Sequence, residues 1–314
     1  RISGCDIDVA IFTNLTRDHL DYHKTMQDYK KSKFLLFEKF LAESNKEKKY
    51  SVINIDDSAG RELTKTARGS VITYAIKLDA TIKATDIEML KNKTIFNAII
   101  DNKKTKIETN LVGKHNIYNI LACIGCAYSQ NIDLKKIADG IRKLETVPGR
   151  FETVDIGQPF SVIIDYAHTP DALGNLIQSA RTIPSRQDRK IIVVFGCGGD
   201  RDQSKRPMMG EISGRMADYT IITSDNPRSE KPELIADDIV VGLRKIKCKK
   251  YETVIDRTAA IKRAVEMCGV DDILLIAGKG HENYQIIEDK KIPHNDKEVV
   301  TQILFERYGK NKNN

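Results

Sequence analysis

Three apolar, β-branched runs, at residues 191–195, 219–223 and 273–277, each stop at a short polar loop. The loops are Gly199-Asp200-Arg201-Asp202, Asp225-Asn226-Pro227-Arg228 and Gly278-Lys279-Gly280-His281-Glu282. Near-continuous apolar runs of this length read as strands buried on both faces, the mark of a parallel sheet covered by helices. In an open parallel sheet the loops at the carboxyl ends of the strands line the ligand crevice. Two arginines, an asparagine and a glutamate are therefore expected to face one small polar ligand.

The rest of the chain supplies the sheet. Strands are expected at 161–165, 190–195, 219–223, 251–255 and 272–277, separated by helical segments near 170–182, 207–217, 232–244 and 256–268. That alternation predicts a doubly wound α/β domain. Val147-Pro148-Gly149-Arg150-Phe151 breaks both helix and strand, which divides the chain into domains at 1–147 and 148–314. Upstream, a buried strand at 7–14 precedes an amphipathic helix at about 25–41, and a strand at 52–55 ends at Asp56-Asp57-Ser58. Asp57 or Ser58 is placed to cap the next helix. Short runs at 71–74, 81–84, 94–100 and 105–111 suggest a small, mostly antiparallel appendage. Gly113-Lys114-His115-Asn116 opens a helix to about 130, and a second helix covers 134–144. A hairpin at 284–293 precedes a terminal helix.

Composition narrows the function. With 40% hydrophobic and 30% charged residues the chain has ample core material. Nothing approaches the ~18 apolar residues of a membrane span, so no membrane insertion is expected. Arg1-Ile2-Ser3-Gly4 leads straight into a strand-like run, which argues against a signal peptide. Net charge is +7, yet the lysines are spread out, tryptophan is absent and aromatics are 6%. Base-stacking platforms are scarce, which argues against a nucleic-acid partner. Six scattered cysteines suit a reducing, cytoplasmic compartment. Cys123 and Cys126 read as part of one buried helix face, because no second pair completes a zinc site.

Individual motifs leave alternatives open. No G-x-x-x-x-G-K-[ST] run occurs, and Gly196-Cys197-Gly198-Gly199 is followed by Asp200 and Asp202, which repel phosphate. It reads as a tight turn presenting Arg201. Asp18, His19, Asp21 and His23 crowd one loop. They suit either a hard cation or a polar turn with helix-capping aspartates. His168, at the exit of the 161–165 strand, suits nucleotide or acid–base contacts and equally a hydrogen-bonded structural role.

Taken together, seven motifs carry a resemblance. They are residues 13–23 (with Asp18-His19-Leu20-Asp21-Tyr22-His23), Gly113-Lys114-His115-Asn116-Ile117-Tyr118-Asn119, Pro148-Gly149-Arg150, Asp165-Tyr166-Ala167-His168-Thr169-Pro170-Asp171, residues 196–202, Asp225-Asn226-Pro227-Arg228 and residues 278–282. In this order they resemble the Mur ligase family. The resemblance implies the remainder of a P-loop-type central ATPase domain followed by a doubly wound, Rossmann-like C-terminal domain. The family's uridine-binding domain and P-loop have no counterpart in the 314 residues, so a C-terminal fragment is expected.

The implied activity is ATP-dependent amide-bond formation in peptidoglycan precursor synthesis. ATP phosphorylates a carboxylate of UDP-N-acetylmuramoyl-L-alanyl-D-glutamate, and the amine of meso-diaminopimelate attacks the acyl phosphate. By the same resemblance, Lys33 is the lysine that becomes carbamylated and helps hold Mg²⁺, with His19 as a metal-ligand histidine. Asn116 and Asn119 meet the adenine edge. Arg150, Asp165 and His168 occupy nucleotide-side positions, and Arg1 matches an arginine that contacts the muramoyl peptide. Arg201, Asp225, Asn226, Pro227, Arg228, Gly278 and Glu282 match the amino-acid pocket. An arginine fork suits the extra carboxylate that distinguishes diaminopimelate from lysine, and lysine-adding relatives lack the arginine of the tetrapeptide. A monomer is expected. The alternative is a binding module that keeps the diaminopimelate pocket but cannot use ATP.

Overall fold

Strands and helices make up two α/β units, as a computed structural model describes the chain for residues 4–18, 22–90, 93–183 and 188–309. The chain divides into two compact units, Arg1–Glu145 and Thr146–Asn314.

In the first unit, β1 (Val9–Phe12), β2 (Tyr50–Asn54), β3 (Ser70–Ala75), β4 (Ile82–Met89), β5 (Thr94–Ile100) and β6 (Lys103–Thr109) form one six-stranded sheet in chain order. β1 to β4 pair in parallel, and β4, β5 and β6 pair antiparallel. The runs from 71 to 111 are therefore not an appendage: the first of them, β3, pairs in parallel with β2, Val52 against Ile72, and the antiparallel strands follow in the same sheet. Tyr74↔Ile82 and Ala75↔Lys83 join them to the parallel half, and the inward residues of β4 and β5 (Ile82, Ala84, Phe96, Ala98 and Ile100) share a core with Val52 and Tyr74. A period-2 pattern marks a strand without saying which neighbour it extends.

The helices cover both faces. The segment expected as one helix is α1 (Met26–Leu35), a π-helical turn (Leu36–Phe40) and α2 (Leu41–Glu43). Phe34, Phe37 and Leu41 from this segment pack with Phe12, Ile53 and Leu63. Asp57 caps α3 (Ser58–Leu63), accepting from the amides of Ala59 and Gly60. α4 (Lys114–Ser129) and α5 (Leu134–Lys143) cover the other face. The stripe of α4 that meets the sheet is Ile117, Ile120, Leu121 and Ile124, at helical spacing. Cys123 falls off that stripe and is exposed, and Cys126 is half-buried. The two cysteines are not a buried face as expected.

The second unit is a doubly wound sheet. β8 (Ser161–Asp165), β9 (Ile191–Phe195), β10 (Tyr219–Ile222), β11 (Tyr251–Thr253) and β12 (Ile273–Ala277) are all parallel, in the order β11-β10-β9-β12-β8. A three-residue strand, β7 (Glu152–Val154), closes the edge antiparallel to β8. Alternate strand residues Val162, Ile164, Ile192, Val194, Leu274 and Ile276 pack against α9 (Arg257–Met267) and α10 (Asp296–Tyr308). The opposite face carries α6 (Pro170–Thr182), α7 (Lys205–Met216) and α8 (Pro232–Lys245). Glycines let α7 and α8 cross closely: a Cβ on Gly242 would lie 1.8 Å from the Pro207 carbonyl oxygen. The hairpin of β13 (Tyr284–Ile287) and β14 (Lys290–Pro293) leads into α10. β8, β12, β9 and β10 are neighbours in the sheet, so their carboxyl-terminal loops lie side by side.

Candidate functional site

The loops after β9, β10 and β12 converge as the strand pattern predicts. Gly198 sits between the two arginines: a Cβ there would lie 3.0 Å from Arg228 Nη1 and 3.7 Å from the Arg201 side chain. Gly199 is pressed against the next loop, where a Cβ would come within 1.8 Å of the Pro227 carbonyl oxygen. These glycines serve close backbone approach rather than phosphate binding. Arg228 takes a left-handed backbone (φ 52°) and donates from Nη1 to the Gly199 carbonyl at 2.7 Å. Arg201 is exposed and donates to the Asp200 carbonyl.

The loop after β10 is pinned from the far side by the hairpin. Gln285 Nε2 donates to the Asp225 carbonyl at 2.9 Å, the Ile286 amide donates to Asn226 Oδ1 at 2.9 Å, and the Arg228 amide donates to the Ile286 carbonyl. Asn226 Nδ2 reaches Glu282 Oε2 at 2.9 Å. Gly278 (φ 110°) packs against Asp225, whose Oδ2 would lie 2.6 Å from a Cβ at that position. Arg201, Asp225, Asn226, Pro227, Arg228, Gly278 and Glu282 thus form one cluster in the second unit.

Three supporting residues were not read from the sequence. Lys279 is fully buried and donates to Asn226 Oδ1 (3.0 Å) and Glu282 Oε2 (2.9 Å). Burial works against the Glu282 charge, but Lys279 and Asn226 more than offset it, and the carboxyl titrates below its ordinary range. Arg206, 1% exposed, bonds both oxygens of Glu230, Asp238 and the Gly198 carbonyl. Glu230 in turn accepts from the Asp200 amide at 2.6 Å, so Arg206 and Glu230 join the loops that carry Arg201 and Arg228. The signal for Lys279 was its place one glycine after a wholly buried strand, with a glutamate three residues on.

A second group lies at the end of β8. Asp165 is buried and accepts from the amides of Phe151 (2.7 Å) and Ala167 (2.8 Å). Its carbonyl accepts from the Gly278 amide. The exposed Arg150 lays its guanidinium over the Tyr166 ring at 4.7 Å, and His168 meets the same ring at 4.6 Å. His168 Nδ1 lies 2.8 Å from the Tyr166 carbonyl oxygen. Gly149 (φ 67°) lies against Gly280 and His281, where a Cβ would come within 2.1 Å of the His281 nitrogen. Arg150 and His168 are therefore brought together on the Tyr166 ring, and Asp165 holds the Phe151 and Ala167 amides beside them.

In the first unit the polar exits of β1 and β2 are tied to each other. Asn54 Nδ2 donates to the Thr13 carbonyl, the Tyr74 hydroxyl to the Phe12 carbonyl, and the Leu15 amide to Asp57 Oδ2. Asp56 accepts from the amides of Ile76, Lys77 and Leu78 and from the Tyr118 hydroxyl. These bonds outweigh burial and hold its carboxyl below the ordinary range. Asn116 is buried with Nδ2 on the Val112 carbonyl, and the exposed Asn119 donates to Asn116 Oδ1 at 3.4 Å. The two share a face of α4, with Asn119 outermost.

Lys33 Nζ lies 3.4 Å from the Asn14 carbonyl oxygen and 5.0 Å over the Tyr29 ring, which also stacks on His23. Among the described residues no three histidine, cysteine, aspartate or glutamate side chains come together as a metal-binding group. The described residues thus assemble no all-protein set of magnesium ligands. His19, Asp21 and Arg1 lie outside the described residues.

Comparison with known proteins bears on what these clusters serve. Residues 1–127 match the Mur ligase middle domain, and residues 149–280 match the Mur ligase glutamate ligase domain. The chain is 43% identical over 310 residues to a UDP-N-acetylmuramoyl-L-alanyl-D-glutamate–2,6-diaminopimelate ligase of Clostridium acetobutylicum, covering 98% of this chain and 61% of that protein. The chain thus spans about three-fifths of the length of the curated relatives it matches. A solved structure of a diaminopimelate ligase of the same name is similar at a TM-score of 0.60 and 34% identity, over 98% of this chain and 62% of that one. The Thermotoga maritima MurF ligase in complex with ADP is similar at a TM-score of 0.65, over 98% of this chain and 62% of that one; at 17% identity this likeness concerns the fold alone. With both domain matches in order and the likeness to full ligases covering 98% of its length, the chain belongs to the Mur ligase family.

Proposed function

We propose that this chain serves the ATP-dependent addition of meso-diaminopimelate to UDP-N-acetylmuramoyl-L-alanyl-D-glutamate, and that the cluster at the ends of β9, β10 and β12 selects the amino acid. The observation that carries this reading is the pairing of opposite functions in one cluster. Arg201 and Arg228 flank Gly198, while Asn226 and Glu282 meet a few residues away. Diaminopimelate carries a carboxylate and an ammonium at its distal end, and lysine carries the ammonium alone. The arginines suit that carboxylate through parallel N–H···O bonds, and Asn226 with Glu282 suits the ammonium. A site built to pair a charged group rejects an analogue without it, because the arginine is left unpaired.

In the proposed reaction a carboxylate oxygen of the muramoyl peptide takes the γ-phosphoryl group of ATP, and ADP leaves. The free amine then attacks the acyl carbon; the N–C bond forms, the C–O bond breaks with its electron pair going to the departing phosphate, and the nitrogen gives up one proton, which the phosphate can carry away. The part of the amino-acid cluster is to hold the attacking amine in line, where positioning supplies much of the rate. Asn119, with Asn116 behind it, offers amide groups to a purine edge. The Arg150 guanidinium and His168, gathered on Tyr166, serve the nucleotide side, with Asp165 fixing the loop between them. Lys33, as a carbamate, and His19 are the implied magnesium ligands, and Arg1 the implied contact to the muramoyl peptide.

The test is calorimetric titration of the chain with meso-diaminopimelate, with L-lysine and with a non-hydrolysable ATP analogue. Diaminopimelate is expected to bind and lysine to bind at least ~10-fold more weakly. Equal affinity for the two amino acids overturns the specificity. Binding of diaminopimelate without the nucleotide analogue favours a module that keeps only the amino-acid pocket.

A further inference from the structure

Lys279 is a lysine with no exposed surface in a chain whose other lysines mostly face water. Burying an ammonium is costly unless its donors are paired with charge and hydrogen bonds. Its surroundings supply both. Nζ lies 3.0 Å from Asn226 Oδ1, 2.9 Å from Glu282 Oε2 and 4.0 Å from Asp225 Oδ1, with the Tyr284 ring 5.9 Å away. All three polar partners come from the amino-acid cluster, and none is a backbone carbonyl that any fold would need to satisfy.

We infer that Lys279 is the positioning residue of the amino-acid pocket: its buried ammonium holds one oxygen of Glu282 and the amide oxygen of Asn226, so that the second Glu282 oxygen is presented to an incoming ammonium group. This inference rests on the reading of that cluster as an amino-acid site. Both bonds to Glu282 from neighbouring side chains, from Lys279 and from Asn226 Nδ2, fall on Oε2. Oε1 is uncommitted among the described residues, on a side chain that keeps 19% of its surface exposed. Holding Asn226 Oδ1 also dictates the amide orientation, which turns Nδ2 toward Glu282. One ammonium facing two carboxylates, Asp225 and Glu282, leaves a formal negative charge for a bound cation to neutralise. The other titratable or charged groups that face Glu282 are His281 beside it and the buried Arg257, whose charge is matched by its own partner Asp296. A ligand ammonium at Oε1 would complete the charge balance that Lys279 half supplies.

The experiment combines a mutant cycle with a carboxyl titration. Binding of meso-diaminopimelate to the whole chain is measured for wild type, Lys279→Met, Glu282→Gln and the double variant, and the Glu282 side-chain carboxyl is followed by carbon-13 NMR. Lys279→Met should weaken binding about tenfold or more in the wild-type background and change it less than ~3-fold in the Glu282→Gln background. The Glu282 carboxyl should titrate below the ordinary glutamate range in wild type and move upward in Lys279→Met. Unchanged affinity in Lys279→Met, or an equal loss in both backgrounds, overturns the inference. Should Lys279→Met not fold, wild type alone decides: a Glu282 signal that titrates like an exposed glutamate, or does not respond to saturating diaminopimelate, overturns it. Failure of wild type to bind diaminopimelate, by contrast, sinks the reading of the cluster itself.

Discussion

At the scale of single residues, the sharpest consequence concerns Arg228. Its backbone sits in the left-handed region at φ 52°, a conformation that costs a non-glycine residue free energy, and it is held there by backbone bonds to Ile286 of β13 and to Glu288 just beyond it. The strain aims the guanidinium at Gly198 and Gly199 from one side while Arg201 approaches from the other. An arginine fixed this way has donors to spare for a carboxylate, whereas lysine as a ligand would leave them unmet. Arg228→Ala should therefore cost diaminopimelate affinity by roughly 2 kcal/mol or more and leave lysine affinity nearly unchanged, narrowing the preference between the two. Competition calorimetry reads this directly, and a parallel loss for both amino acids would show that Arg228 only shapes the loop. Lys279 illustrates the limit of reading at this scale. Its motif drew attention to Gly278 and Glu282, but a lysine in a polar loop looks solvated, and only the packing of three loops reveals it as buried.

At the scale of elements, close approach decides the site. Gly199 lies so near Pro227 that Gly199→Ala would force the loops after β9 and β10 apart. The expected cost is about 2–3 kcal/mol of stability in the second unit, together with weaker amino-acid binding as Arg201 and Arg228 separate. Denaturant unfolding and calorimetry on the same variant check both halves; unaltered stability would mean the loops yield without strain. The strands and helices around these loops were legible because runs such as Ile191–Phe195 and Ile273–Ala277 are apolar throughout and end at turn residues. What was not legible depended on distant partners. The three residues of β7 carry no periodicity worth the name, and they are a strand because Glu152, Thr153 and Val154 pair with Ile164, Ile163 and Val162. The strands between 71 and 111 read as a separate appendage because alternation cannot show that the first of them, β3, pairs in parallel with β2, Val52 against Ile72 and Asn54 against Tyr74. The π-helical turn at Leu36–Phe40 lies within a helical pattern that periodicity alone treats as continuous.

At the scale of the molecule, each unit has a core of its own, and one buried ion pair bears on the functional end of the second. Arg257 and Asp296 are both fully buried and meet through two bonds, at 2.7 and 2.8 Å. Arg257 also donates to the carbonyls of Ser224 and Ala277, at the ends of β10 and β12, so the pair braces the strands that carry the amino-acid cluster. Burial opposes the Asp296 charge, but Arg257 and His294 outweigh it and hold the carboxyl far below its ordinary value. A depressed carboxylate stabilises the fold fully above its unfolded titration near pH ~4 and loses that contribution as the pH falls toward the folded value. Removing it leaves Arg257 buried without its counter-charge, at a cost of roughly 3–5 kcal/mol. The cores of the two units share no residue, since one is built on β2 to β6 with α4 and α5 and the other on β7 to β10 and β12 with α9 and α10. Unfolding should therefore resolve into two transitions, and Asp296→Asn should lower only the one that belongs to Thr146–Asn314, by less at pH 3 than at pH 7. Differential scanning calorimetry at the two pH values, with tryptophan probes placed singly in each unit, assigns the transitions. A single transition that Asp296→Asn shifts as a whole would instead mean that the two units unfold as one cooperative body, and a shift equal at both pH values would remove the ionised carboxylate as its cause.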